Sequence, residues 1–164
     1  MSLPEYLFAE ADAIGIKLEV VNGLATWEAS PFILHQSAVD RIRTSLRPSD
    51  YGTYRCGCFT YADIDIRFPD GSLKRPDISI FCTEPTEQES SVTQIPDAVI
   101  EIISKDYEAK DRLIGPPFYL SQKIRDIVLF DPYSGEIAHF ANGVEHLLVS
   151  PAAVTLHCGC VCLV

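Results

Sequence analysis

The sequence has few basic residues and no long hydrophobic segment. No apolar run among its 164 residues approaches the length of a membrane-spanning helix, so we expect no association with a membrane. Residues 1–5 lack the basic region that begins a secretory signal peptide, which predicts a cytoplasmic protein. Repeats, low-complexity tracts and domain linkers are also missing. Because 47% of the residues are hydrophobic, a disordered chain is excluded, and we predict one domain over residues 1–164.

Basic residues number 13 against 23 acidic ones, and the net charge is −10. This charge repels nucleic acid unless basic residues are concentrated locally. Two groups of basic residues either provide that concentration or lie on ordinary solvated helix faces, and the sequence leaves both interpretations open. They are Arg41, Arg43 and Arg47, and Lys105, Lys110, Arg112, Lys123 and Arg125.

The six cysteines are expected to be reduced thiols, as is usual in a cytosolic protein. Five of them fall in Cys-x-Cys spacings, which in a strand place both thiols on one face. That pattern favours small apolar side chains that fill a buried strand face. The alternative is a zinc site formed by Cys158, Cys160 and Cys162 with His157, although structural zinc sites more often use cysteines two to four residues apart on turns.

Two carboxylates occupy apolar strands. Glu101 lies inside the run Ala98–Ile103, and Asp77 begins the run Asp77–Phe81. Burial of a carboxylate is costly unless a cation or hydrogen-bond donors compensate for it. Neighbouring strands would bring these two acids together and create a site for a divalent metal. Glu19, between Leu18 and Val20, is a third acid in an apolar strand.

Mg²⁺ prefers oxygen ligands and is commonly held by one or two carboxylates with waters and substrate phosphates. Such an ion can activate water and neutralise charge on a phosphoryl group. The alternative interpretation is that the same acids form structural ion pairs, which also bury and perturb carboxylates.

The order of predicted elements indicates an α/β (α+β) fold: a central mixed sheet flanked by helices, with a C-terminal β-hairpin extension. The Asn22-Gly23 turn is a strong hairpin signal between two extended segments. The first predicted elements are a helix at about 3–14, the hairpin 17–21 and 24–28, and a helix at about 32–46 with an apolar stripe of Ile33, Val39, Ile42 and Leu46. Strands before and after Asp77, a loop at 83–96 and the Glu101 strand follow. The last predicted elements are a helical segment at 105–125 that breaks and restarts at Pro116, a strand at 126–130 and short final strands.

The order and spacing of several short motifs resemble one family. The motifs are Lys17–Gly23, Ser30-Pro31 with His35, Arg75–Ser79, Pro96–Ser104, Asp111, Tyr119 and Val128–Pro132. Together they resemble the Uma-type (DUF820-like) restriction-endonuclease family of the PD-(D/E)XK nuclease superfamily. The resemblance implies a restriction-endonuclease-like core and a Mg²⁺- or Mn²⁺-dependent phosphodiesterase that acts on nucleic acid, with DNA expected, as a homodimer. Asp77, Glu101 and the carbonyl of Ile102 would bind the metal, and Glu19 would assist.

The sequence departs from that family at its lysine. The superfamily places a lysine two residues after the glutamate, where this chain has Ile103, and the family places one four residues after the aspartate matched to Asp111, where this chain has Gly115. Such a cation orients the attacking water and offsets charge in the transition state. Two hypotheses follow: a nuclease in which Lys105 or Lys110 replaces this lysine, or a degenerate nuclease fold that serves as a binding or assembly module.

Overall fold

The structure is a computed structural model that describes residues 5–29, 31–50, 55–87 and 91–164. Its helices are α1 (Glu5–Ala13), α2 (Ile33–Ser45) and α3 (Gly115–Ser121), and a π-helical turn, Lys110–Ile114, leads into α3. Its strands are β1 (Lys17–Val21), β2 (Leu24–Glu28), β3 (Arg47–Pro48), β4 (Phe59–Ala62), β5 (Asp65–Arg67), β6 (Leu73–Lys74), β7 (Ile78–Phe81), β8 (Ser91–Val92), β9 (Ala98–Ile102), β10 (Asp126–Phe130), β11 (Glu136–Ala141), β12 (Val144–Val149), β13 (Ala153–Thr155) and β14 (Cys160–Leu163). None of the described helices is long and apolar enough to cross a membrane.

The central sheet has the strand order β12-β11-β10-β9-β7-β4. β9 and β10 run parallel and are joined through α3, whereas the other neighbouring strands are antiparallel. Every residue of β9 is buried because both faces of the sheet are covered. Ile100 and Ile102 pack in the core beneath α2, and Val99 and Ile103 pack on the α3 side. The predicted α+β fold with a mixed sheet is therefore confirmed.

A second sheet, β2-β1-β6-β5-β8, begins with the predicted hairpin. Asn22 and Gly23 have φ angles of 51° and 79°, the left-handed geometry that a two-residue hairpin turn requires. β6 pairs with β1 through Val20 and Leu73. The second sheet therefore includes the strand that lies just before Asp77 in the sequence. The predicted C-terminal extension consists of the β11–β12 hairpin, which widens the central sheet, and the β13–β14 hairpin, which pairs with β3.

Three local predictions need correction. Ile33 is 88% exposed and lies outside the apolar face of α2, because it is two residues, about 200° of rotation, from the buried His35. The predicted loop at 83–96 contains β8, and its residues 88–90 lie outside the described part. Residues 3–4 of the predicted first helix also lie outside it. The helix expected to restart at Pro116 begins one residue earlier, and its prolines occupy the first turn, where no N–H partner is needed.

The expectation of six reduced cysteines is wrong for four of them. Disulfides join Cys56 to Cys82 and Cys58 to Cys160, while Cys158 and Cys162 are buried free thiols. The alternative zinc set is also not assembled as predicted, because the ligand atoms that lie together belong to Cys56, Cys158 and Cys160, without His157 or Cys162. The sequence pattern could not reveal this grouping, since the residues come from distant segments of the chain.

Candidate active site

Asp77 and Glu101 meet where β7 pairs with β9. Ile78 lies opposite Ile100 in this antiparallel pair, so the next opposed positions are Asp77 and Glu101. The backbone N–H of Asp77 donates a hydrogen bond of 3.2 Å to Glu101 Oε2. The two residues are 7% and 5% exposed. The structure thus brings together the two acids that the sequence singled out.

Asp77 is surrounded by donors from three elements. The N–H of Ile102 donates to Oδ2 at 2.8 Å, and His35 Nε2 lies 3.2 Å from the same oxygen. Lys17 Nζ lies 3.5 Å from Oδ1. Burial alone would raise the pKa of Asp77, but Lys17 and His35 outweigh burial and hold it well below its usual range. Because the N–H and carbonyl of one strand residue point to the same edge, the Ile102 carbonyl also faces this side of β9.

The pKa of Glu101 is shifted in the opposite direction from that of Asp77. Tyr119 Oη donates to Oε1 at 2.5 Å, and Lys74 Nζ lies 3.9 Å from that oxygen. Burial and the neighbouring charge of Asp77 raise the pKa of Glu101 to about 7, although Lys74 acts against the shift. Two adjacent buried carboxylates do not both ionise readily, so Glu101 is largely protonated in mildly acidic solution and loses its proton around neutral pH.

Glu19 reaches the same cluster from β1. Lys74 Nζ lies 2.7 Å from its Oε2, and the N–H of Arg75 donates to its Oε1 at 2.8 Å. Burial opposes ionisation, but the charge of Lys74 lowers the pKa of Glu19 to about 2. Lys74 therefore neutralises Glu19 and also links it to Glu101.

The two lysines proposed from the sequence lie in different environments. Lys110 Nζ is 3.1 Å from Glu28, 3.3 Å from Asp111 and 3.6 Å from Glu19. Among the described ion pairs, none joins Lys110 to Asp77 or Glu101. Lys105 is exposed in the turn that follows β9, and no described acid lies within ion-pair distance of it.

Sequence reasoning missed the lysines closest to the paired carboxylates. Lys17 alternates with Glu19 along β1 and is opposite Glu28 in the hairpin, so the strand period could have identified it. Lys74 lies in a two-residue strand that offers no periodic signal. The position of the usual superfamily lysine, Ile103, is buried in the apolar core on the α3 side.

An open cleft gives access to one side of this cluster. Its volume is about 220 Å³, and its lining includes Lys17, His35, Asp77, Arg43 and Arg75. Asp77 is therefore the carboxylate of the pair that faces the cleft. The three cations of the lining lie among five acids, Asp12, Glu28, Asp40, Asp63 and Asp77, so acidic residues outnumber basic ones around the cleft.

Fold and site together define a restriction-endonuclease-like protein with a carboxylate pair on adjacent strands. The model of the Uma2 family, described as "Putative restriction endonuclease", matches residues 3–156, and the chain belongs to this family. The predicted family is confirmed. Among solved structures, the chain is similar to a crystal structure described as "a putative nuclease belonging to DUF820 from Anabaena variabilis ATCC 29413". The two are 19% identical with a TM-score of 0.64, and the match covers 84% of this chain and 79% of that one. No curated protein matches the chain.

Proposed function

We propose that this protein is a metal-dependent nuclease that hydrolyses phosphodiester bonds in nucleic acid. The observation that carries the proposal is the opposition of the buried Asp77 and Glu101 across β7 and β9, beside an open cleft. Membership of a family described as "Putative restriction endonuclease" supports a nucleic-acid substrate. Within this proposal the substrate is DNA, and the protein acts as a homodimer in the cytoplasm.

The donor set fits Mg²⁺ or Mn²⁺, which prefer oxygen ligands. Asp77, Glu101 and the carbonyl of Ile102 would hold the ion. A carboxylate has about four acceptor sites, and the described partner of Asp77 Oδ1 is Lys17 at 3.5 Å, so this oxygen has capacity to spare. A divalent cation would also offset the repulsion that keeps Glu101 protonated. When bound, the ion supplies an activated water and charge neutralisation at the phosphoryl group.

Lys17 is better placed than Lys105 or Lys110 to replace the missing family lysine. It contacts Asp77 and lines the cleft, whereas Lys110 pairs with more distant acids of the cluster and Lys105 is exposed. Burial opposes its charge, but Asp77 and the neighbouring glutamates outweigh burial and raise the pKa of Lys17 well above its ordinary value. We therefore assign to Lys17 the role of a fixed cation that orients water and stabilises developing negative charge.

Arg43 and Arg75 supply the contacts that a phosphate backbone needs near the cleft. Arg43 belongs to the first basic group found in the sequence. Arg75 is paired with Asp12 at 2.8 Å and with Asp63 at 3.0 Å, and these acids both orient its guanidinium and offset its charge. The proposal therefore places the nucleic-acid strand along the α2 side of the cleft.

One observation favours a second function, a catalytically degenerate fold used for binding or assembly. Asp77, Glu101 and Glu19 each have a lysine within 4 Å, so the cluster is already neutralised by the chain itself. Such an arrangement can serve structure without a metal.

Activity measurements separate the two functions. Purified protein is incubated with single- and double-stranded DNA and RNA in Mg²⁺ and in Mn²⁺, beside Asp77→Ala and, as a control, Asp131→Ala at the turn before β11. The nuclease proposal expects cleavage that falls by at least about 10²-fold in Asp77→Ala and is unchanged in Asp131→Ala. Absence of cleavage under all conditions, with no calorimetric signal for Mn²⁺ binding, would favour the degenerate fold.

A further inference from the structure

Five cysteines from three segments of the chain meet at the end of β7 opposite to Asp77. Two Cys-Gly-Cys turns, residues 56–58 and 158–160, provide four of them, and Cys82 follows β7 directly. One sulfur from the first turn and both sulfurs of the second lie within 4.8 Å of one another. The two remaining sulfurs are bonded to members of this trio through the Cys56–Cys82 and Cys58–Cys160 disulfides.

We propose that Cys56, Cys158 and Cys160, with either Cys58 or Cys82 as the fourth ligand, bind one zinc ion in the reduced protein. Zinc binds four thiolates tetrahedrally at about 2.3 Å, which separates the sulfurs by roughly 3.8 Å. Cys56, Cys158 and Cys160 already have sulfur separations compatible with that geometry. Cys58 and Cys82 are the candidates for the fourth ligand, because each is joined by a disulfide to a member of this trio and is released when that disulfide is reduced.

The second turn is held rigidly by its backbone. The N–H of Gly159 donates to the carbonyl of Leu156 at 3.0 Å, and Gly159 has a φ of 104°. The carboxylate of Asp126, which is fully buried, accepts the N–H groups of His157 and Cys158 at 2.8 and 2.9 Å. These bonds fix the direction of the turn before a metal binds, as supporting hydrogen bonds do around metal ligands.

The first turn is fitted closely to Cys82. The N–H of Gly57 donates to the carbonyl of Cys82 at 2.9 Å, and a Cβ at position 57 would lie 2.9 Å from that same oxygen. Glycine is therefore required between the two cysteines. The N–H of Cys58 also points at Cys56 Sγ, 3.4 Å away, which is a contact that stabilises a thiolate.

The two disulfides and the zinc site are alternative states of the same side chains. Reduction of each disulfide by a dithiol takes up two electrons and two protons and yields two thiols. Binding of Zn²⁺ by four thiols then releases their protons. The described disulfides are accordingly the oxidised, metal-free state of the site.

Cobalt substitution tests the proposal directly. The full chain is reduced, its thiols are counted after denaturation to establish that all six are free, and Co²⁺ is titrated into the native protein in the absence of oxygen. We expect one Co²⁺ per chain with thiolate-to-cobalt charge-transfer absorption and the visible bands of a tetrahedral ion, and displacement of Co²⁺ by one equivalent of Zn²⁺. A reduced, folded protein without this absorption would overturn the proposal.

Variants locate the metal. Cys158→Ser and Cys56→Ser should weaken Co²⁺ binding and change the charge-transfer absorption, because each removes a member of the sulfur trio. Cys162→Ser is the matched control, because Cys162 is also buried on β14 but lies outside the sulfur trio. Asp77→Ala should keep the signal, which separates this site from the carboxylate pair. An equal change in Cys162→Ser, or an affinity and spectrum unchanged in both Cys158→Ser and Cys56→Ser, would contradict the assignment, and circular dichroism verifies that each variant is folded.

Discussion

The backbone N–H of Asp77 donates to the side chain of Glu101 across the β7–β9 pair, at 3.2 Å. This contact places two buried carboxylates side by side. Their pKa values are shifted in opposite directions. Asp77 stays ionised because Lys17 and His35 outweigh its burial, whereas burial and the charge of Asp77 raise the pKa of Glu101 to about 7. Stability and activity should both depend on this asymmetry.

The first prediction concerns the pH dependence of stability in the metal-free protein. In the unfolded chain Glu101 ionises near its ordinary pKa of 4.5, whereas in the folded chain its pKa is about 7. Between these values the folded protein holds a proton that the unfolded chain has lost, so the contribution of Glu101 to stability is full below pH 4.5 and falls as the pH rises toward 7. The loss is at most about 1.4 kcal/mol per pH unit.

Thermal unfolding in EDTA from pH 4.5 to 7.5 measures this effect. Glu101→Gln removes the titrating proton and should flatten the decline over this range. Parallel melting curves for the wild type and the variant would show that Glu101 does not carry the linkage.

The second prediction tests the role given to Lys17 and rests on the proposed nuclease activity. Lys17→Met removes the cation next to Asp77 and should lower kcat by about 10²-fold or more, while Lys17→Arg keeps the charge and recovers part of the activity. Lys105→Met should behave as the wild type, since Lys105 is exposed and takes part in none of the described ion pairs with Asp77, Glu101 or Glu19. Equal kcat values for Lys17→Met and Lys105→Met would refute the assignment.

Gly115 offers a gain-of-function prediction. The Uma-type pattern has a lysine at this position, and a Cβ on Gly115 would meet its nearest atoms, one from Lys110 and one from Tyr119, at 3.9 Å. A Cβ therefore fits at this position, which is buried at the start of α3. Because Tyr119 donates to Glu101, a lysine here approaches the carboxylate pair.

We expect Gly115→Lys to raise the cleavage rate by up to about 10²-fold. Gly115→Met is the matched control, because it has similar length and helix propensity without the charge. Rates that rise equally in both variants would attribute the gain to stability, and no gain in the lysine variant would contradict the prediction.

The sequence allowed the paired carboxylates to be predicted because the necessary signals are local. Alternation along β9 separates Glu101 from Ile100 and Ile102, and the apolar run after Asp77 identifies a partner strand. The Asn22-Gly23 hairpin is equally local. Nothing local showed that β6 would bring Lys74 beside Glu101, since this contact depends on how the second sheet meets the first.

The cysteines illustrate the same limit more strongly. Cys58 and Cys160 are separated by 102 residues, and their contact depends on the docking of β14 near β4. A Cys-x-Cys spacing says only that two thiols belong to one short segment. Likewise, the phase of α2 could not be determined from its apolar residues alone, because the buried His35 helps define its inner face in place of Ile33.

The last prediction concerns the buried ion pair between Lys74 and Glu19, whose side chains are 3% and 2% exposed. Lys74→Met leaves Glu19 buried without its closest cation and also removes a charge near Glu101. We expect a loss of about 3–5 kcal/mol in the free energy of unfolding, because an uncompensated buried charge costs more than the pair contributes. The double variant Lys74→Met/Glu19→Gln removes both charges and should recover much of that stability. Urea unfolding of the two variants provides the comparison, and a loss below about 1 kcal/mol in Lys74→Met would mean that Lys110, 3.6 Å from Glu19, compensates for the missing lysine.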